Sequence, residues 1–317
     1  MTAQPLDGLF GQVVQYPDPD AQDRLDALIG VDDTVDRLAL EAELLADPCR
    51  LAAWSGTAHG AVLPAVERWA RRAPLFVLAG DVGTGKTEVA ETIGHRIAVD
   101  LGVPVALYPL SLTTRGKGAV GEMTTLLTAA FAEVRTAATG GRRRDGRLAK
   151  AVVLLIDEAD ALAQSRELAQ MHHEDRAGVN ALLRGVDGLR DDRLPVIVLL
   201  VTNRLDALDP AVRRRAARVL EFHRPDMDQR RAVIAAELDG AGLDEDALDS
   251  LAEAAGPLEG RDHGHTYSDL RLRLVPEIVL DAYRHRAAVD AARAIDIVRR
   301  IPPTRPFDTA PFDTAKP

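Results

Sequence analysis

The chain reads as an α/β protein, a parallel five-stranded phosphate-loop sheet flanked by helices and followed by a small all-α lid domain. Three observations lead there. Short, continuous apolar runs at Leu75–Ala79, Ala151–Ile156 and Leu194–Val201 alternate with helix-like segments, the pattern of parallel strands buried on both faces. The first run leads into Gly80-Asp81-Val82-Gly83-Thr84-Gly85-Lys86-Thr87, a glycine-rich loop that opens a helix. From Asp226 onward strand signals stop, and Gln229–Leu238, Glu245–Ala255 and Ser268–Val289 are amphipathic and rich in Ala or Leu.

In chain order, residues 1–24 are rich in Pro, Asp and Gln and read as an arm or linker that ends at Pro17-Asp18-Pro19-Asp20. Helical spacing of Leu28, Ile29, Val31, Val35, Leu38, Leu40 and Leu44 predicts one or two helices, with Asp32 and Asp33 as capping candidates. A further helix, Val62–Arg72, precedes the first strand. The loop then opens a helix at Glu88–Leu101, followed by a strand at Val105–Tyr108, a loop at Thr113–Gly121 and a helix at Glu122–Thr136. Arg218–Phe222 completes the set of five strands. These signals divide the chain into an arm (1–24), a large nucleotide-binding domain (25–225), a small helical domain (226–300) and a tail (301–317). The tail carries the tandem repeat Pro306-Phe307-Asp308-Thr309-Ala310 and Pro311-Phe312-Asp313-Thr314-Ala315, too poor in apolar residues for a core, so it is expected to be mobile.

Composition narrows the function classes. At 317 residues there is room for one large and one small domain, and no apolar run reaches the roughly 18–20 residues of a membrane helix. The N-terminus lacks a basic stretch followed by an apolar one, and Cys49 is the only cysteine, so a reducing cytoplasm is the expected compartment. Cys49 itself reads as a small buried apolar residue. A formal net charge of −10 repels polyanions and disfavours nucleic acid as the main partner. The basic run Arg142–Arg147 reads as a solvated loop, as do His172-His173 and His263-Gly264-His265, which lack the acidic or cysteine spacing of a metal site.

The loop chemistry points to ATP with Mg²⁺. Glycines such as Gly83 and Gly85 let backbone N–H groups, with that of Thr84, approach phosphate; Lys86 reaches the β- and γ-oxygens; the Thr87 hydroxyl ligates Mg²⁺. The strand ending in Asp157-Glu158 supplies the complement, Asp157 holding Mg²⁺ through water and Glu158 activating the attacking water. Asn203, at the end of the next strand, is placed to position that water and sense the γ-phosphate. The cluster Arg213-Arg214-Arg215 sits at the far edge of such a domain, badly placed for its own phosphates and well placed for those of a neighbour.

This ordered set resembles the AAA+ ATPases over about residues 25–295. In that family Asn203 matches sensor I, and Arg215, then Arg214, match the arginine finger. Residues 175–189 look like the helix that precedes the sensor strand. Within the family the sequence is most similar to the pachytene-checkpoint group that remodels HORMA-domain proteins, and to its bacterial relatives in anti-phage operons with a cyclic-nucleotide synthase. The resemblance implies a homohexamer that engages a flexible segment of a HORMA-like partner in its central pore and converts or disassembles it with ATP. Two positions depart from the pattern. The first pore loop reads Lys117-Gly118-Ala119-Val120, so Ala119 stands where an aromatic residue is usual, and grip falls to Val120, Lys117 and backbone. Sensor II, usually a Gly-Arg pair, is matched here by Arg271, one place displaced. Against the family's pattern, the large N-terminal substrate-binding domain is expected to be missing or reduced to the first two dozen residues. The competing reading is a nucleotide-dependent switch or loader acting on nucleic acid, which the acidic balance opposes and the weak pore loop favours.

Overall fold

The structure, a computed structural model, describes residues 8–112, 122–162 and 172–307. The chain divides into two compact units. One comprises the residues up to Ala27 with Asp33–Ala79 and Thr87–Glu221; the other comprises Leu28–Asp32, Gly80–Lys86 and the residues from Phe222 onward.

The first unit is built on strands β1 (Val14–Tyr16), β2 (Leu75–Gly80), β3 (Val105–Ser111), β4 (Ala151–Asp157), β5 (Val196–Thr202) and β6 (Arg218–Phe222), in the order β1-β3-β4-β5-β2-β6. The β3/β4, β4/β5 and β2/β5 pairs are parallel, and β1 runs antiparallel to β3. Leu75–Ala79, Ala151–Ile156 and Val196–Thr202 are buried throughout, as expected for strands covered on both faces. The helices are α1 (Pro19–Asp26), α2 (Asp32–Ala46), α3 (Pro48–His59), α4 (Pro64–Trp69), α5 (Lys86–Leu101), α6 (Glu122–Ala138), α7 (His172–Asp191) and α8 (Pro210–Arg215). On α6 the buried residues Leu127, Ala130, Phe131, Val134 and Ala138 recur at helical spacing and join the core beneath the sheet.

The sheet has six strands rather than five, because the expected arm is structured from Val14. Three residues show no alternation to read, and what fixes them is tertiary. They pair with β3, and buried Tyr16 donates its hydroxyl to the Glu91 carbonyl of α5. Gly94 makes the seat: a Cβ there would lie 2.3 Å from the Tyr16 ring. Burial pushes the Tyr16 hydroxyl up to about 12, so it stays a donor. Asp18 then caps α1, with Pro19 in its first turn.

The second unit holds α9 (Met227–Glu237), α10 (Glu245–Ala254), α11 (Tyr267–Asp269), α12 (Val275–His285) and α13 (Ala291–Arg300) around Val233, Ile234, Leu251, Leu270, Leu274, Ile278, Ile297 and Val298. Ser268–Val289 is not one helix. A π-helical turn at Leu270–Leu274 joins α11 to α12, where Pro276 lacks the N–H that an α-helix would need and its ring crowds the preceding turn. The helix then stops at His285, with Arg286 left-handed at φ 49°.

Three further expectations change. Cys49 is exposed, not buried. His265 is fully buried rather than solvated, its ring nitrogens 3.0 Å from the Ala255 carbonyl and 2.9 Å from that of Ile301; burial lowers its pKa below the usual histidine value, against those two contacts. The residues following α13 are held rather than loose as far as Phe307: Pro303 is buried, and Thr304 donates both its N–H and its hydroxyl to Asp269, at 2.9 and 2.7 Å. The rest of the tail, the pore-loop residues Lys117, Ala119 and Val120, and the side chains of His172-His173 lie outside the described residues. In the basic loop, Arg142 donates to Asp47 at 3.0 Å, and Arg143, Arg144 and Arg147 are exposed.

Candidate nucleotide site

The glycine-rich loop has the backbone its residues imply. Gly80, Gly83 and Gly85 take φ values of 155°, 74° and 95°, conformations that side chains disfavour. At Gly83 space is closed as well, since a Cβ would stand 2.7 Å from the Thr266 hydroxyl, and the Gly83 carbonyl accepts the Ser268 N–H at 3.2 Å. Thr84 and Lys86 are buried, and both donate to the Asp81 carbonyl, at 2.8 and 2.6 Å. The loop runs directly into α5, whose first amides and dipole favour an anion.

Within the first unit, Thr87 donates its hydroxyl to Asp157 Oδ2 at 3.2 Å. Asp157 ends β4 directly opposite Ser111, the last residue of β3. Two hard oxygen donors side by side are what Mg²⁺ takes from a protein, so these residues fit the ion. Next to them Glu158 has φ 57°, uncommon for a residue with a side chain and a mark of local strain. Among its contacts, its N–H donates to Asp157 Oδ1 at 2.7 Å, and its Oε2 accepts the Ser111 hydroxyl at 2.7 Å. Asp160 is buried and accepts from the Thr202 hydroxyl, from the Asn203 N–H at 2.9 Å and, more loosely, from Asn203 Nδ2 at 3.4 Å. The Asn203 amide is therefore oriented by a carboxylate three residues beyond the end of β4.

Ser111 and Asp160 did not stand out in the sequence. Ser111 follows an apolar run like any strand-end serine, and Asp160 is masked by its acidic neighbours; the parallel register of β3, β4 and β5 is what aims both at the site. The remaining candidates are dispersed. Arg215, in the last turn of α8, pairs with Asp187 of α7 at 3.5 Å, and Arg214 is exposed. Arg271 pairs with Glu237 of α9 at 3.2 Å, while Ser268, three residues earlier, contacts the glycine-rich loop.

The second unit carries a buried carboxylate near that contact. Burial alone would push Asp269 up, but the Thr304 and Thr266 amides, the Thr304 hydroxyl and Arg273 outweigh it and hold the carboxyl at about 2. Because the folded value lies below the unfolded one, its stabilisation is present above about pH 4 and is lost as pH falls toward 2. Asp269→Asn is expected to remove about 2 kcal/mol of stability at pH 7, where the carboxylate is fully charged, and to flatten the acid limb between pH 4 and 2. Urea titrations across that range check it; parallel acid limbs for the two proteins would count against it.

Comparison with known proteins gives the chain's family. Residues 76–224 match the model of the ATPase family associated with various cellular activities (AAA). The chain is 49% identical over 302 residues to CD-NTase-associated protein 6 of Escherichia coli (strain MS 115-1), covering 95% of this chain and 97% of that protein. Among solved structures, it is similar to a chain of the E. coli MS115-1 HORMA:CdnC:Trip13 complex, with TM-score 0.88, 48% identity and coverage of 97% of this chain and 100% of the other. It is also similar to Rhizobiales Trip13, with TM-score 0.73, 42% identity and coverage of 94% and 100%. With its glycine-rich loop, acidic strand end and near-complete alignment to these relatives, the chain belongs to the AAA ATPases and, among them, to the family of CD-NTase-associated protein 6.

Proposed function

We propose that the protein is an ATP-hydrolysing ring ATPase that remodels or disassembles a HORMA-domain partner in a bacterial anti-phage system. The observation that carries this is the near full-length likeness to a Trip13 chain solved with HORMA and CdnC, together with the pairing of Glu158 with Ser111 and of Asn203 with Asp160. In this reading the amides from Gly83 to Thr87 cradle the phosphates and Lys86 leaves the Asp81 carbonyl to reach them. Thr87 and Asp157 hold Mg²⁺. The ion, when bound, neutralises charge on the phosphate oxygens. Glu158 takes a proton from the attacking water; Ser111 holds its carboxylate aside until the partner and nucleotide are in place. Asn203, fixed by Asp160, orients that water. Arg215 acts on the site of the neighbouring subunit, so the working form is a homohexamer. Arg271, held by Glu237, is a candidate for sensing nucleotide in the helical unit, and Lys117, Ala119 and Val120 for gripping substrate in the pore. Among the described residues no helix is long and apolar enough to cross a membrane, and the cytoplasm suits the lone, exposed Cys49.

Lys86→Ala is expected to weaken nucleotide binding by at least ~100-fold, the loss of a buried charge contact to phosphate. Titration with labelled ADP measures it. For the function as a whole, the ATPase rate should rise when a HORMA-domain protein from the same operon is added. Stimulation by single-stranded DNA at physiological salt, with no response to the HORMA protein, would overturn the remodelling reading in favour of a loader acting on nucleic acid.

A further inference from the structure

The glycine-rich loop carries a carboxylate of its own. Asp81 follows β2 directly, and an uncompensated negative charge in a loop that receives polyphosphate opposes binding. Arg224, two residues beyond β6, answers it: Nε and Nη2 donate to Asp81 Oδ2 at 2.8 and 2.5 Å, and the two side chains are only 14% and 17% exposed. The same guanidinium donates from Nη1 to the Gly264 carbonyl at 2.6 Å and from Nη2 to the Thr304 carbonyl at 2.8 Å. Among the described residues, its polar contacts are thus spent on the loop, the segment before α11 and the segment after α13.

Thr304 is the residue where these contacts meet. Its carbonyl faces Arg224, and its N–H and hydroxyl face Asp269. Asp269 also closes the cap of α11, accepting the Thr266 N–H at 3.1 Å while its own N–H donates to the Thr266 hydroxyl at 3.1 Å. One residue before Asp269, Ser268 donates to the Gly83 carbonyl. The network therefore leaves the loop at Asp81, runs through Arg224, Thr304 and Asp269, and returns to it at Gly83. The segment is anchored at both ends, by His265 on the Ile301 carbonyl and by the Phe307 N–H, which lies 3.3 Å from Asp81 Oδ1, an oxygen that also accepts the Val82 N–H. Arg273 adds a contact to the Pro302 carbonyl at 3.2 Å.

We infer that Arg224 and the C-terminal segment Ile301–Phe307 are part of the nucleotide-binding apparatus. Arg224 is a positioning residue that neutralises Asp81 and sets the loop, and Thr304 holds Arg224 and Asp269 in register. This rests on reading Gly80–Thr87 as the phosphate loop. It adds a dependence that the loop motif does not contain: removal of a segment more than two hundred residues downstream weakens nucleotide binding.

The test compares ADP affinity, measured by calorimetry with Mg²⁺, in full-length protein and in five variants whose thermal melts are recorded alongside. Arg224→Ala is expected to bind ADP at least tenfold more weakly, since it leaves a half-buried carboxylate unpaired beside the phosphates. Adding Asp81→Asn to it removes that charge and should restore affinity to within about threefold of wild type, a rescue that a merely structural role of Arg224 would not give. A chain ending at Pro302 should lose at least tenfold, and a chain ending at Phe307 should bind as wild type does. Wild-type affinity in Arg224→Ala, or in the chain ending at Pro302, overturns the inference, as does failure of Asp81→Asn to rescue. If the chain ending at Pro302 does not fold, the Arg224 and Asp81 variants decide alone. Lys86→Ala separates the two readings: if it binds ADP as wild type does, the phosphate-loop assignment has failed, whereas its loss of binding beside an unaffected Arg224→Ala condemns only the inference drawn here.

Discussion

Glu158→Gln is expected to bind ATP with affinity near that of wild type and to hydrolyse it at least ~100-fold more slowly, trapping the ring with its partner engaged. The physical reason is local. The substitution keeps the shape of the side chain and its ability to accept from the Ser111 hydroxyl, 2.7 Å away, but removes the base that takes the water proton. Thr87 and Asp157, which are proposed to hold the ion, keep their own contact at 3.2 Å. Phosphate release in single turnover gives the rate, and pulldown of the HORMA-domain partner in ATP gives the trapped complex. Hydrolysis at the wild-type rate would remove Glu158 from the role of base. The strained backbone at Glu158, φ 57°, adds a control: Glu158→Gly relieves strain yet lacks the carboxylate, so it should be as slow as Glu158→Gln while melting no lower.

The second large effect is expected from Arg215→Ala, a loss of about 10³-fold or more in turnover with nucleotide binding retained, the magnitude of a transition-state arginine supplied by a neighbour. Stability should change little, because the pair with half-buried Asp187 is long at 3.5 Å and Asp187 keeps its pair with Arg190 at 3.1 Å. What makes the prediction specific is complementation. Arg215→Ala subunits keep Glu158, and Glu158→Gln subunits keep Arg215, so rings formed from both contain interfaces where the intact groups meet. Random mixing at equal ratio makes ~a quarter of interfaces competent in a closed cyclic ring. Recovered turnover of that order indicates action in trans, whereas no recovery, with each variant assembling normally, would place Arg215 outside the chemistry. Arg214→Ala, made in parallel, tests the neighbouring candidate.

Much of this was legible in the residues themselves. The three apolar runs, each ending at a polar or glycine-rich turn, required buried parallel strands, because only there are unbroken apolar faces on both sides of a strand useful. The loop declared its chemistry by spacing, since Gly83, Gly85, Lys86 and Thr87 act through positions a few bonds apart. Asp157 and Glu158 were readable for the same reason. β1 was not, because three residues carry no periodicity and their strand exists only by pairing with β3 and by seating Tyr16 against Gly94. The break in the helix after Asp269 was also hidden: Pro276 was visible, but an ordinary N-terminal proline and one that forces a wider turn look alike until the preceding residues are known to be helical.

By itself, then, the sequence determined the catalytic alphabet and the layered fold, since both are written in neighbouring residues and in the period of burial. The tertiary structure alone decided which groups steer that alphabet. Ser111 meets Glu158 across 47 positions, Asp160 meets Asn203 across 43, and Arg224 meets Asp81 across 143. Such pairings depend on strand register and on where the chain returns after long connections, and no local propensity encodes either. The same holds for Thr304, an unremarkable threonine in a proline-rich tail until the fold sets its carbonyl against Arg224 and its hydroxyl against Asp269.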